Sequence, residues 1–377
     1  MVKVLHCADI HLDSPFVLFS PRESEKRRNE LRAAFTSALL YAREMKVDLF
    51  IISGDLFDGE YVTRDTCEML VREFAKAGNM RIFISPGNHD HLGAGSPYET
   101  LEFPENVHVF GRERECVHLD DLGVDVYGFG FDSKNCLSSP VVGWRGLDKE
   151  KINILVCHGD MSAANSTTGP IAKNDIAESG FDYIALGHIH KSTGLQQENG
   201  VYYGYPGCIE GRGFDEIGYK GALCGVIEKG EVKMQLKRFS KSRYEVLEVD
   251  ISGATDKMQV LDIIRNKIRP YTEDTALRLI LTGELNRAVV ILPNEIGKGC
   301  EYPYYIEIID KTTLVPDLGE LEKSNTLKGV FCRNILSEMS NFDEDSEEYK
   351  VLSAALKYGI SALEDRNVID YTGGGNK

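Results

Sequence analysis

The sequence predicts an α/β protein, and three observations carry the prediction. Short apolar, β-branched runs recur through the first 240 residues, each followed at once by a polar cluster. Between the early runs the apolar spacing turns helical. The composition is that of a packed globular chain: 377 residues, 42% hydrophobic, 9% aromatic and 27% charged. At about 100–200 residues per domain, the length holds two or three domains. The same composition excludes disorder as the dominant state.

The runs are Lys3–Cys7, Leu49–Ser53, Arg81–Ser85, Ile152–Cys157 and Tyr183–Leu186. Apolar runs this short, closed by turn-forming residues, read as buried strands. Leu31, Ala34, Phe35, Ala38, Leu39, Ala42 and Met45 recur at three- and four-residue spacing, as do Cys67, Leu70, Val71 and Phe74. That spacing predicts two amphipathic helices. Strand–helix–strand order implies a largely parallel sheet covered on both faces. In such sheets ligands bind beyond the carboxyl ends of the strands. All five polar clusters fall at that edge, so order alone predicts that they converge.

Past residue 240 the texture changes. Glu245–Ile251, Ala276–Leu281 and Tyr304–Ile309 read as strands, with a helix over Asp256–Ile268. A core domain over 1–240 is thus followed by a small α+β domain over 241–317. The remainder, 318–377, reads as helical. Leu327, Val330, Phe331 and Ile335 mark one apolar face, and Tyr349, Leu352, Leu356, Ile360 and Leu363 another. The acidic stretch Asp343–Glu348 separates them, and Gly373–Lys377 reads as a frayed end.

Composition limits the setting. No apolar run approaches the roughly 20 residues needed to span a bilayer; Leu49–Ile52 and Ala288–Leu292 are typical of the longest. The opening residues lack the pattern of a secretory signal. Nine cysteines without a CxxC pair argue against a disulfide framework. A reduced, cytoplasmic protein is expected. The formal charge is −16, from 59 acidic and 43 basic side chains. Duplex DNA is bound largely through phosphate neutralisation by Lys and Arg, so weak unaided binding to nucleic acid is expected.

The clusters suit cations. Asp9 and His11 stand two apart just past a strand, able to turn to one ion. Asp55, on a turn opened by Gly54, is a carboxylate able to bridge two ions with its two oxygens. Asn88 offers an amide oxygen, His158 an imidazole, and His188 and His190 repeat the two-apart arrangement. With Asp55 counted twice, two metals receive four protein ligands each. Such mixed N/O sets suit Mn, Fe or Zn better than Ca. Two such ions about 3.5–4 Å apart would clamp the attacking and leaving oxygens of a phosphoryl displacement and supply hydroxide from water at neutral pH. His89 is reserved for charge stabilisation and for protonating the leaving oxygen, with Asp90 placed to orient it. His6, His91, His108 and His118 have no such context and read as ordinary residues.

Asp-x-His, Gly-Asp-x-x-Asp, Gly-Asn-His-Asp, an isolated His and Gly-His-x-His, in this order, form the signature of the calcineurin-like metallophosphoesterases. The sequence resembles that family over residues 1 to about 240. The resemblance implies a metallophosphoesterase core of sheet layers flanked by helices. It implies one metal held by Asp9, His11, Asp55 and His190, and another by Asp55, Asn88, His158 and His188.

More narrowly, Gly54-Asp55-Leu56-Phe57-Asp58, Gly187-His188-Ile189-His190-Lys191 and Tyr205-Pro206-Gly207 resemble SbcD-type DNA repair nucleases. His11-Leu12-Asp13-Ser14-Pro15-Phe16 and Gly211-Arg212-Gly213-Phe214 look most like the YhaO branch. The resemblance implies a capping role for 241–317 and a helical tail, 318–377, that grips an SbcC-like coiled-coil ATPase, with two copies of the chain at its base. Relatives commonly carry His where this chain has Asp58, so no catalytic role is carried over to that position.

The implied function is a manganese-dependent DNA nuclease, with Fe, Zn or Mg as alternative ions, degrading DNA from 3′ ends and possessing endonuclease capacity. Basic residues from Val232 to Tyr244 (Lys233, Lys237, Arg238, Lys241 and Arg243, with no acids among them) offer a rail for phosphates. Lys191 and Arg212, beside site motifs, are further candidates for substrate contact. The competing readings are a phosphoesterase of small phosphodiesters or phosphoproteins, and an inactive scaffold on the same fold.

Overall fold

The computed structural model describes residues 1–59, 62–145, 147–285, 296, 303–314 and 317–363. The expected frayed end, 373–377, and the apolar run at 288–292 lie outside them. The described residues form two six-stranded mixed sheets, two smaller sheets and flanking helices. The first sheet contains β1 (Val2–Cys7), β2 (Leu49–Ile52), β3 (Arg81–Ile84), β4 (Val107–Val109), β11 (Gly221–Glu228) and β12 (Glu231–Arg238), in the order β12-β11-β1-β2-β3-β4. The second contains β5 (Glu115–Leu119), β6 (Val124–Gly128), β7 (Ile152–His158), β8 (Tyr183–Gly187), β9 (Gly194–Glu198) and β10 (Val201–Tyr205), in the order β5-β6-β7-β8-β10-β9. In the first sheet β1, β2, β3 and β4 run parallel out to the β4 edge, and antiparallel β11 and β12 extend the other side. In the second, β6, β7, β8 and β10 run parallel and antiparallel β5 and β9 close both edges.

Strand order alone implied one sheet and the family resemblance implied sheet layers; the chain builds two sheets, packed face to face. Val2, Val4, Leu49, Ile51 and Phe83 of the first meet Val126, Ile154, Val156, Tyr183 and Ala185 of the second in a shared core. Across this layer His6 Nδ1 lies 2.8 Å from the Tyr183 hydroxyl, and Ser53 Oγ donates to the Ala185 carbonyl at 2.9 Å. A strand buried on both faces shows no alternation, so its sequence does not say what covers each face.

Helices α1 (Pro21–Glu44) and α2 (Arg64–Ala75) cover the outer face of the first sheet. Ser20 starts α1 with a capping box to Glu23, and Pro21 fits the first turn. Phe35 packs edge-on to Phe50 and Phe74, with ring centroids 6.1 and 6.2 Å away. Short helices α3 (Pro97–Thr100) and α4 (Lys173–Ala177) follow.

By contact the chain divides into two compact units. One is Met1–Leu247 with Ile268–Leu279 and Cys300–Glu307; the other is Glu248–Lys267, Ile280–Gly299 and Ile308–Lys377. The later strands are β13 (Arg243–Asp250), β14 (Thr275–Thr282), β15 (Glu284–Leu285), β16 (Tyr305–Asp310) and β17 (Thr313–Leu314), with α5 (Lys257–Ile268) between β13 and β14. The expected β-helix-β order is therefore present. Arg243 N–H donates to the Asp274 carbonyl and Ile251 N–H to that of Thr282, so β13 and β14 run in the same direction. In the second unit, α6 (Leu318–Lys323), α7 (Leu327–Met339) and α8 (Glu347–Leu363) pack around Cys332, Met339, Leu356 and Ile360. Gly359 lets α8 approach closely: a Cβ there would stand 2.1 Å from the Phe331 ring. No described helix is long and apolar enough to cross a membrane.

Candidate metal centre

All seven predicted ligands gather at the carboxyl ends of β1, β2, β3, β7 and β8, within the first unit. The pairing of β1 with β2 continues past the strand ends. Asp9 N–H donates to the Gly54 carbonyl, and Ile10 and His11 N–H both donate to that of Asp55. Asp9, His11 and Asp55 adopt left-handed φ of 49°, 51° and 51°, and His188 has φ 107°. Non-glycine residues rarely take such values except where the surroundings enforce them. Here the turns swing consecutive side chains into one pocket.

The ring nitrogens are oriented by protein partners. His158 Nδ1–H donates to the Ser53 carbonyl at 3.0 Å, which leaves Nε2 with its lone pair. That lone pair faces Asn88 Oδ1 at 2.8 Å and Asp55 Oδ2 at 3.5 Å. His190 Nδ1–H donates to Glu216 at 2.7 Å, and its Nε2 meets His11 Nε2 at 3.2 Å. Asp55 Oδ2 also stands 3.6 Å from His11 Nε2. One carboxylate oxygen thus lies between imidazoles of both implied ligand sets. Asp55 Oδ1 accepts the His89 N–H at 3.0 Å, while Oδ2 faces His11 and His158.

Asp9 accepts the His188 N–H at 2.9 and 3.1 Å through its two oxygens. Donor atoms of Asp9, His11 and His190 cluster within 4.8 Å, and so do those of Asp9, Asp55 and His158. The His188 ring stands edge-on to that of His158, with centroids 5.2 Å apart.

These groups fit divalent cations. Lone pairs and carboxylate oxygens converge with few protons between them, an arrangement that repels itself unless positive charge is supplied. His11 Nδ1, though 2.9 Å from Asp58 Oδ1, is not aligned for a hydrogen bond and is a buried polar atom without a partner. Burial pushes the Asp9 carboxyl up to about 7 against the pull of His190, with Asp55 adding to the rise. Burial likewise raises Asp55. It lowers His11, and takes His158 and His188 down to about 4, so these imidazoles are neutral donors near pH 7. His190 is the exception: burial pulls it down, but Glu216 and Asp9 outweigh burial and raise it.

Two glycines are required by close approach. A Cβ on Gly54 (φ +88°) would fall 2.2 Å from His158 Nδ1, and one on Gly87 2.2 Å from Asp55 Oδ1.

The remaining predicted residues fall in different places. His89 is exposed, its ring edge-on to His11 at 4.7 Å. Asp90 does not orient it, contrary to expectation. The Asp90 carboxylate accepts the N–H groups of Leu56, Phe57 and Gly87 and the Tyr98 hydroxyl, which pin the loops beneath the centre. The His89 Nδ1 instead lies 3.5 Å from the Asp58 carbonyl. Arg212 is a strut: it pairs with Asp58 at 3.0 Å and Glu216 at 2.9 Å, behind His11 and His190. Lys191 is exposed directly after His190. Lys237 and Arg238 lie on the edge strand β12. Lys237 sits over the Tyr41 ring, while Arg238 sits over the Tyr219 ring and pairs with Asp274 at 3.3 Å. In the same basic run Lys233 pairs with Glu231 at 2.6 Å.

Three residues were missed as supports: Asp58 and Glu216, in the strut, and Asp160, 3.7 Å from His188 Nε2. Asp160 had a signal, standing two residues after His158. Glu216 had none beyond its four-residue spacing from Arg212.

Neutral imidazoles, buried carboxylates and an amide oxygen at the carboxyl ends of strands from two stacked sheets define a metal-dependent phosphoesterase centre. The calcineurin-like phosphoesterase family pattern matches residues 2–192, and the chain belongs to that family. It is 29% identical over 293 residues to the uncharacterized metallophosphoesterase YhaO of Bacillus subtilis (strain 168), covering 74% of this chain and 71% of that one. It is also 29% identical over 333 residues to the DNA double-strand break repair protein Mre11 of Saccharolobus solfataricus, covering 84% of each. With Mre11 of Methanopyrus kandleri it shares 24% over 275 residues, 69% of this chain and 59% of that protein.

Proposed function

We propose that this protein is a dinuclear, manganese-dependent DNA nuclease of the SbcD type, acting in the cytoplasm and releasing nucleotides from 3′ ends. The observation that carries the metal chemistry is Asp55 Oδ2, poised 3.6 Å from His11 Nε2 and 3.5 Å from His158 Nε2. DNA as substrate is supported by the similarity to proteins named for double-strand break repair. Asp9, His11, Asp55 and His190 would hold one ion, and Asp55, Asn88, His158 and His188 the other. When bound, the ions supply the nucleophile and positive charge at the phosphate. The exposed His89 imidazole stabilises charge on phosphorus and protonates the departing oxygen.

Residues 241–317 serve as the capping element and 318–377 as the docking region for a coiled-coil SbcC-like ATPase, with two copies of the chain in the assembly. The ATPase supplies the duplex-binding surface, because this chain carries a formal charge of −16 and three cations of its basic run are engaged internally.

The test is incubation of the full chain and Mn2+ with end-labelled duplex, hairpin and single-stranded oligonucleotides, beside a chromogenic phosphodiester. Manganese-dependent release of 5′-mononucleotides is expected. Hydrolysis of the chromogenic ester with every oligonucleotide intact would transfer the assignment to small phosphodiesters.

A further inference from the structure

A second cluster of metal-binding side chains lies away from the centre described above. On β5, Cys116 and His118 stand two apart and so share a face. Antiparallel register places Asp125 of β6 directly opposite His118, on that same face. The donor atoms of Cys116, His118 and Asp125 lie within 4.8 Å of one another. Asp125 pairs with Asn153, five residues before His158 on β7. At about 3.3 Å per residue, this separates the cluster from the centre by roughly 16 Å.

The geometry points to a third metal site, in which Cys116 Sγ, His118 Nδ1 and Asp125 Oδ1 hold a single thiophilic divalent cation, Zn2+ above all, with a fourth position open to water. The inference is independent of the nuclease reading. Its main support is that one ring nitrogen faces both partners: His118 Nδ1 is 3.7 Å from Cys116 Sγ and 2.8 Å from Asp125 Oδ1. A Cys–His–Asp proton relay needs the two opposite nitrogens of the ring, so a nucleophilic triad is excluded. Convergence of S, N and O on one point is what chelation requires. With Zn–S near 2.3 Å and Zn–N or Zn–O near 2.0–2.1 Å, tetrahedral donors stand about 3.3–3.6 Å apart. The thiol–imidazole distance already fits, and the imidazole–carboxylate pair needs to open by only about half an ångström.

The place already holds positive charge. Lys151 Nζ contacts Asp125 Oδ1 at 3.1 Å and Asp120 at 2.7 Å. An arriving ion displaces the ammonium from Asp125 while Asp120 retains it. The exposed His118 side chain and the edge position of β5 leave an open path from solvent. Burial raises the Cys116 thiol, so binding takes the thiolate and releases its proton. The bound ion would pin the edge strand to its neighbour.

Cobalt is the probe. The full chain, with its catalytic centre kept saturated by Mn2+, is titrated with Co2+. A near-ultraviolet thiolate-to-cobalt charge-transfer band should saturate at one ion per chain and disappear on adding Zn2+. The N/O ligands of the catalytic centre cannot produce that band. Cys116→Ser should abolish it while leaving Mn2+-dependent phosphodiester hydrolysis unchanged. His118→Ala should weaken Co2+ binding roughly ten-fold or more, and Lys151→Ala, which removes the competing ammonium, should strengthen it. Absence of a band, or a band that survives Cys116→Ser, overturns the assignment.

Discussion

Replacing Glu216 by Gln is expected to weaken the ion at His190 while the protein stays folded. The Glu216 carboxylate accepts the His190 Nδ1–H at 2.7 Å and the Arg212 guanidinium at 2.9 Å through one oxygen. Its other oxygen accepts the Arg212 backbone N–H at 2.7 Å. A glutamine keeps one acceptor and turns the other into a donor. If its oxygen stays on His190, its NH2 meets the Arg212 N–H, donor against donor; if it flips, the imidazole loses its acceptor. At least one charge-assisted bond is lost either way, at about 1.5–3 kcal/mol. Removing the partner that orients a metal-bound histidine typically costs 10–100-fold in affinity, about 1.4–2.7 kcal/mol. Calorimetric titration with Mn2+ should therefore show one ion weakened by about one to two decades and the other nearly unchanged. Arg212 keeps Asp58 at 3.0 Å, so the metal-loaded variant should still unfold cooperatively. Wild-type affinity for both ions would refute the view that this strut orients His190.

Other perturbations probe neighbouring links. His89→Ala should leave Mn2+ affinity intact, since the backbone N–H on Asp55 remains, yet cut hydrolysis about 10²–10⁴-fold; metal titration beside steady-state rates checks both halves. Gly87→Ala drives a methyl to 2.2 Å from Asp55 Oδ1 and should lower metal content per chain, read by elemental analysis, at a stability cost of about 1–3 kcal/mol. His6, buried between the sheets, has its imidazole pulled down to about 3 by burial, against the opposing effect of the Leu186 carbonyl. Below pH ~6.5 the unfolded chain takes up a proton that the folded chain refuses, so stability is complete above that value and falls as pH drops towards 3. The total reaches about 4–5 kcal/mol. Urea unfolding between about pH 7.5 and 5 should show this slope in the wild type and a shallower one in His6→Gln.

The strand ends were legible because each is a local event: an apolar run that stops at a turn. Leu49–Ser53, Arg81–Ser85 and Tyr183–Leu186 were read to within a residue or two of β2, β3 and β8, and α1 and α2 followed from three- and four-residue spacing. The family resemblance implied sheet layers, but strand order and apolar pattern did not separate the second sheet from the first. Val2 and Leu5 point to different cores, yet both are apolar, and full burial erases the alternation that would separate them. Asp90 was misread for a related reason: proximity in sequence to His89 said nothing of the three N–H groups and the hydroxyl that claim its oxygens.

The sequence by itself determined which donors the chain carries, their order, and that each would stand at a strand's carboxyl end. Those properties depend on residue type and short-range period. Only the tertiary structure decided that Asp55 presents a single oxygen to both imidazoles, that Asp58, Arg212 and Glu216 brace His11 and His190, and that Cys116, His118 and Asp125 face one point. The Arg212–Asp58 pair spans 154 residues of chain. Contacts of that kind arise when sheets stack and loops close on one another, and no local pattern records them.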